Sequence, residues 1–132
     1  MRTITEDFVI CGDFNARCGN LEETTGSEGY PIPKRNVVDT STNQLGRELI
    51  ATLKAMDLCI ANGRFKDSED SFTSISNHGM SVVDYIISPV KSFKALSNFR
   101  VLDPYQVVTD NNIALDSPMP DHRILYSCKR DV

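Results

Sequence analysis

The sequence has no apolar run longer than a few residues, no C-x-x-C pair, no excess of basic side chains and only two histidines, His78 and His122. A bilayer span needs about 20 consecutive apolar residues, so no transmembrane helix is expected. The opening Met1-Arg2-Thr3-Ile4-Thr5-Glu6-Asp7 lacks the apolar core of a signal peptide. These absences predict a soluble, intracellular protein of the nucleus or cytoplasm. Cys11, Cys18, Cys59 and Cys128 are scattered, and Cys11, Cys59 and Cys128 sit in apolar, strand-like runs. Reduced core thiols are the favoured reading over a zinc site or a disulfide framework. Lys and Arg number 14 against 18 Asp and Glu, a formal charge of -4. This balance counts against simple charge-driven DNA binding, but not against a metal-dependent nuclease whose acidic site is offset by its cation. What remains is 132 residues with 40% hydrophobic content, room for one domain and one moderate core, with no internal repeats or low-complexity segments.

Along the chain, residues 7–12 read as a buried strand. The Gly-, Pro-, Asn-, Thr- and Glu-rich stretch from Ala16 to Thr42 reads as a long surface loop of the kind that borders sites. Leu45, Leu49, Leu53 and Met56 recur at helical spacing, predicting a helix over 43–56 whose start is a capping box of Ser41 and Gln44. Leu58-Cys59-Ile60-Ala61 is a second strand ending at Asn62-Gly63. After the polar turn 66–70, Ser71–Ile75 and Ser81–Ser88 read as two strands joined by a hairpin loop around Asn77-His78-Gly79. A short helix is expected over Val90–Leu96 and a strand over Phe99–Leu102, with Tyr105–Val108 continuing it. Arg123–Cys128 reads as the last strand. Strands outnumber helices, which suits a layered mixed α/β fold.

Three short segments carry chemistry. Gly12-Asp13-Phe14-Asn15 ends the first strand. With a period of two, Asp13 and Asn15 should point the same way, placing a carboxylate that can act on water or hold a cation beside a carboxamide that can donate to a phosphate oxygen. The plain alternative is a turn. Asp84 interrupts the apolar run Val82–Ile87. It either faces water by alternation or is buried and needs a partner, since breaking a buried pair costs on the order of 3–5 kcal/mol. Pro120-Asp121-His122 puts an acid and an imidazole at a loop-to-strand junction, where both can reach one site; its plain alternative is a surface turn. His78 is read as a hairpin-turn residue. The polar ends of the strands fall where one sheet edge can gather Asp13, Asn15, Asp84, Asp121 and His122.

Taken in order, Gly12-Asp13-Phe14-Asn15, Ser81-Val82-Val83-Asp84-Tyr85 and Pro120-Asp121-His122 resemble the ordered motif set of the endonuclease/exonuclease/phosphatase superfamily, G-D-F-N, S-x-x-D-x and S-D-H. The helix from Leu45 to Met56, Leu58–Arg64 and Ser71-Phe72-Thr73 are similar to the endonuclease domains of non-LTR retrotransposons in particular. The resemblance implies an α+β fold, a four-layered α/β/β/α sandwich, with residues 1–132 forming the C-terminal part of one such domain. It implies Mg²⁺-dependent phosphodiester hydrolysis, with Mn²⁺ as a substitute, and a DNA substrate. Asp13 would activate or orient water and Asn15 would hold the scissile phosphate. Asp84 would orient His122 on that phosphate, and Asp121 would lie at the metal end. Thr73 and Ser81 would support the site or approach substrate. Pro120 departs from the family's Ser and removes a hydroxyl and a backbone donor. The family's first half supplies an Asn and a Glu that bind metal; neither is recognisable around Glu6 or Asp7. The resemblance therefore implies a fragment that relies on a further half-domain, or belongs with a reverse transcriptase domain in a parent polypeptide. A small-molecule phosphatase of the same superfamily and a non-catalytic interaction module are the other expectations.

Overall fold

The computed structural model describes residues 7–24, 31–66, 71–113 and 121–129. The expectations placed on Glu6, on most of the turn after Lys66 and on Pro120 lie outside them. The described chain is mixed α/β, with antiparallel sheets and few helices. In order it forms β1 (Ile10–Asp13), α1 (Gln44–Ala55), β2 (Leu58–Ile60), β3 (Ser74–Ser76), β4 (Gly79–Ser81) and β5 (Asp84–Pro89). A 3-10 helix (Val90–Ala95), β6 (Leu96–Leu102), α2 (Pro104–Asp110) and β7 (Ile124–Lys129) follow. No helix among the described residues is long and apolar enough to cross a membrane.

β5 is the centre. It pairs antiparallel with β1 on one side and β2 on the other, while β3–β4 and β6–β7 form separate two-stranded sheets. Alternation along the buried β2 and β5 sends side chains to two cores. Leu58, Ile60, Tyr85 and Ile87 meet Ile50 and Leu53 of α1 on one face. Cys59, Ala61 and Ile86 meet Val90 and Phe93 of the 3-10 helix and Leu96 and Phe99 of β6 on the other. Asp84 shares its parity with Ile86, so it emerges at the end of the face covered by the β6–β7 sheet.

Several local expectations are corrected. β1 is not buried: all four of its residues are exposed, because among the described residues it has a neighbour only in β5. Cys11 is exposed with it and Cys128 is half-buried, so of the three expected core thiols only Cys59 is fully enclosed. Burial pushes the Cys59 thiol up to about 11, which keeps it protonated and inert. All four cysteines are free.

The α1 cap is Asn43 rather than Ser41; its carboxamide oxygen accepts the Gly46 N–H at 2.7 Å. The helix buries Gly46, Ile50 and Leu53 and leaves Leu45 and Met56 exposed, so its inward face is rotated from the leucine stripe. The Asn77-His78 turn joins β3 to the short β4, and β5 belongs to a different sheet, giving three strands where two were expected. Tyr105–Val108 is helical. Asp103 caps α2 by accepting the Tyr105 N–H at 3.0 Å, and Pro104 opens it, which outweighs the local β propensity of Val107-Val108.

The long segment after β1 is more than a surface loop. Ala16, Cys18, Glu23 and Asp39 are buried. Glu23 accepts the Ile60 N–H at 3.1 Å and pairs with Arg64, whose guanidinium also donates to Ile60 O and Pro33 O. These bonds fasten both described parts of the segment to the end of β2.

Candidate metal and phosphoester site

Asp13 and Asp84 are partners in the β1–β5 register. The next residue, Phe14, donates its N–H to Val83 O at 2.9 Å. Asp13 and Asp84 therefore form the narrow, non-hydrogen-bonded kind of antiparallel pair, with side chains on one face and close together. Two like charges directly opposite are destabilising without a cation.

His122 supplies the positive partner. The segment before β7 runs along the β3 edge: Ser74 bridges His122, Ile75 N–H donates to Asp121 O at 2.9 Å, and Arg123 N–H donates to Thr73 O at 2.7 Å. The imidazole Nδ1 lies 2.9 and 3.1 Å from the two Asp84 oxygens, and Nε2 lies 3.7 Å from Asp13 Oδ2. With Nδ1–H donated to Asp84, Nε2 is the nitrogen left for chemistry. The hydrogen bond to Asp84 foremost, and then the charges of Asp84, Asp13 and Asp121, raise the imidazole above its ordinary 6.5 against the opposing effect of partial burial. Asp84 is nearly buried beneath this pair, whereas Asp13 and His122 are open to solvent.

Of the expected site residues, Asp13, Asp84 and His122 converge, with one ligand atom from each within 4.8 Å of the others. A pair of carboxylate oxygens suits a hard divalent cation such as Mg²⁺, and an imidazole suits softer ones, so this donor set fits a metal without selecting magnesium. Asp121 does not join the group: it is exposed and its mapped hydrogen bond is through its backbone oxygen. Asn15 does not follow strand alternation. β1 ends at Asp13, and Asn15 takes a left-handed conformation with φ of 51°, its N–H donating to Asp13 Oδ1 at 2.8 Å. From Asp13 onward the segment is a turn, its plain alternative, and the expected same-side placement of Asp13 and Asn15 by strand alternation is not met.

Thr73 is fully buried, and its hydroxyl oxygen accepts the N–H groups of Val83 and Asp84 at 3.0 and 3.1 Å. It holds the start of β5 and sits too deep to touch a substrate. Ser81 ends β4, half-buried, and its carbonyl accepts the Thr73 N–H at 3.0 Å. His78 is exposed at the β3–β4 turn, away from the site.

Sequence reasoning missed the residues that hold the loop after Asp13. Asn43 accepts the Arg17 N–H at 2.9 Å and donates to Asn15 O at 3.1 Å. The Tyr85 hydroxyl, kept protonated by burial, lies 2.7 Å from Ala16 O and 2.9 Å from Val82 O, and accepts the Cys18 N–H. Buried Asp39 pairs with Arg17. A signal existed for Asn43, a cap-forming residue directly before a helical run; none marks Asp39. A small cavity lined by residues including Arg35, Asp39, Asn62, Tyr85 and Phe99 lies apart from the Asp13–Asp84–His122 group.

Comparison with family models, with characterised proteins and with solved structures gives no match for this chain.

Proposed function

We propose that the chain carries the phosphoester-cleaving site of an endonuclease/exonuclease/phosphatase-type domain, with DNA as substrate and nicking of the kind made by retrotransposon endonucleases as the reaction. The observation that carries this reading is the meeting of Asp13, Asp84 and His122 from three segments far apart in sequence. They are the acidic and imidazole members of the three motifs on which the resemblance rests. The four-layered sandwich belongs to the same proposal; in it, the exposed face and edge of β1 would be covered by further strands.

In this reading Asp13 and Asp84 form the carboxylate side of a divalent-metal site, which supplies charge neutralisation and an activated water when filled. Asp84 holds Nδ1 of His122 and thereby fixes the ring. As the imidazolium that Asp84 favours, its Nε2–H then faces the open side next to Asp13, where it donates to a non-bridging phosphate oxygen and stabilises the charge that builds there. Asn15 follows Asp13 with its backbone N–H tied to that carboxylate, and in this reading its carboxamide would contact the same phosphate.

Supercoiled plasmid incubated with the chain and Mg²⁺ tests the reading. Conversion to the open-circular form, lost in His122→Ala, is expected; equal nicking by parent and variant would overturn the assigned role. The acidic balance favours one second reading, a small-molecule phosphatase of the same superfamily. It predicts phosphate release from small phosphoesters with plasmid left intact. Nicking that appears only when a further half-domain is supplied identifies a fragment; neither activity even then, with the fold retained, identifies a non-catalytic module.

A further inference from the structure

Asp39 belongs to neither core and lies outside every helix and strand, yet it is 5% exposed. A carboxylate is buried at such a place only when its lone pairs are fully used. Oδ2 accepts both Arg17 Nε and the Val82 N–H at 2.9 Å; Oδ1 accepts the second Arg17 nitrogen at 2.8 Å and the Ser41 N–H at 3.1 Å. All four acceptor positions of the carboxylate are thus spent within the protein, so Asp39 has nothing left to offer a metal or substrate.

Its partners lie on the two segments that frame the candidate site. Arg17 is two residues beyond Asn15, and Val82 is two residues before Asp84. Asp13 and Asp84 are aligned by a strand pair that ends at this point, since Val83 N–H is turned to Thr73 instead of back to β1. Beyond the last ladder bond, the spacing of the two segments is set by side chains. Among the described residues, Asp39 is the one ion-paired carboxylate that hydrogen-bonds both.

We propose that Asp39 is a positioning residue for the Asp13–Asp84–His122 group, one carboxylate gripping the β1 exit through Arg17 and the turn into β5 through the Val82 amide. Its effect on catalysis rests on the phosphoesterase reading above; its effect on the two segments does not. A carboxamide offers one acceptor oxygen where the carboxylate offers two, and in either orientation its NH₂ would oppose one arm of the Arg17 fork together with the Val82 or the Ser41 N–H. Asp39→Asn therefore releases one grip while leaving both apolar cores unchanged.

The test compares the parent chain with Asp39→Asn by amide hydrogen exchange and by plasmid nicking with Mg²⁺. Exchange in peptides covering 14–18 and 82–84 is expected to speed up together by about tenfold, with the β6–β7 peptides unchanged. The nicking kcat is expected to fall by about 100-fold, with KM changed less than about threefold, because misplacement by an ångström acts on the reacting geometry and not on binding. Unchanged exchange in either segment, or equal acceleration in β6–β7, overturns the clamp. A parent that does not nick, alone or with a further half-domain of the same fold supplied, refutes the phosphoesterase reading, and the exchange pattern still decides the clamp; a parent that nicks no faster than Asp39→Asn refutes the clamp alone. If Asp39→Asn does not fold, Arg17→Lys keeps the charge and loses the fork, and is expected to accelerate exchange in 14–18 and lower kcat; parent-like behaviour overturns the proposal.

Discussion

In the proposed reaction His122 can act because only one of its nitrogens is hydrogen-bonded within the protein. Asp84 takes Nδ1 at 2.9 Å and leaves Nε2 on the open side toward Asp13. Replacing Asp84 with Asn removes the negative charge that favours the imidazolium and so weakens the Nε2–H donor proposed to face the phosphate. Asp84→Asn and His122→Ala are each expected to lower plasmid nicking by about 10²–10⁴-fold. Two residues acting as one unit are not additive, so the double variant should be scarcely slower than the worse single one, measured as a double-mutant cycle on kcat. Thr73→Val keeps the side-chain shape and removes the acceptor of two buried N–H groups. It is expected to cost about 1–3 kcal/mol, read from the urea midpoint. Asp84 was legible because a carboxylate inside an apolar run stands out. Asp39 was not, because a charge in a polar loop looks solvated until its distant partners Arg17 and Val82 are in place.

The helix–loop junction ties an element to the site. Asn43 caps α1 and also accepts the Arg17 N–H and donates to Asn15 O. Asn43→Ala should therefore cost about 2 kcal/mol, the upper end for a cap, in denaturant unfolding. Gly46 faces the same loop: a Cβ there would lie 1.9 Å from Arg17 O, so the helix approaches the chain more closely than any side chain permits. Elements defined by their own period, α1, β2 and β7, were legible from the sequence to within a residue or so at each end. The split of β3–β4 from β5 was not, since it depends on the Thr73 hydroxyl drawing the Val83 and Asp84 amides out of a continuous apolar run. The exposure of β1 was equally hidden: an apolar strand reads the same whether or not a second neighbour covers it.

At the scale of the whole molecule, Asp39 links acid stability to the site's framework. Burial opposes its ionisation, but the Arg17 fork and the Val82 and Ser41 amides outweigh burial and hold it below its ordinary 3.8. A carboxylate depressed in the folded state adds stability above its unfolded value and loses it as pH falls through the folded one. The melting temperature should fall on acidification below about pH 4, and Asp39→Asn should flatten that slope. The exposed β1, with Ile10 in it and Val9 just before it uncovered, predicts concentration-dependent self-association. Light scattering that rises with concentration and is suppressed by Ile10→Lys is the expected result.

The β1–β5 register has a consequence for tolerance to insertion. Side chains alternate along a strand, so one extra residue between Ile10 and Asp13 would send the Asp13 carboxylate to the α1 side of the sheet while β5 kept Asp84 in place. Two extra residues would restore its side but shift it by about 7 Å along the strand, beyond reach of His122. The site is an address written in the count of residues along β1, readable only while that count is kept.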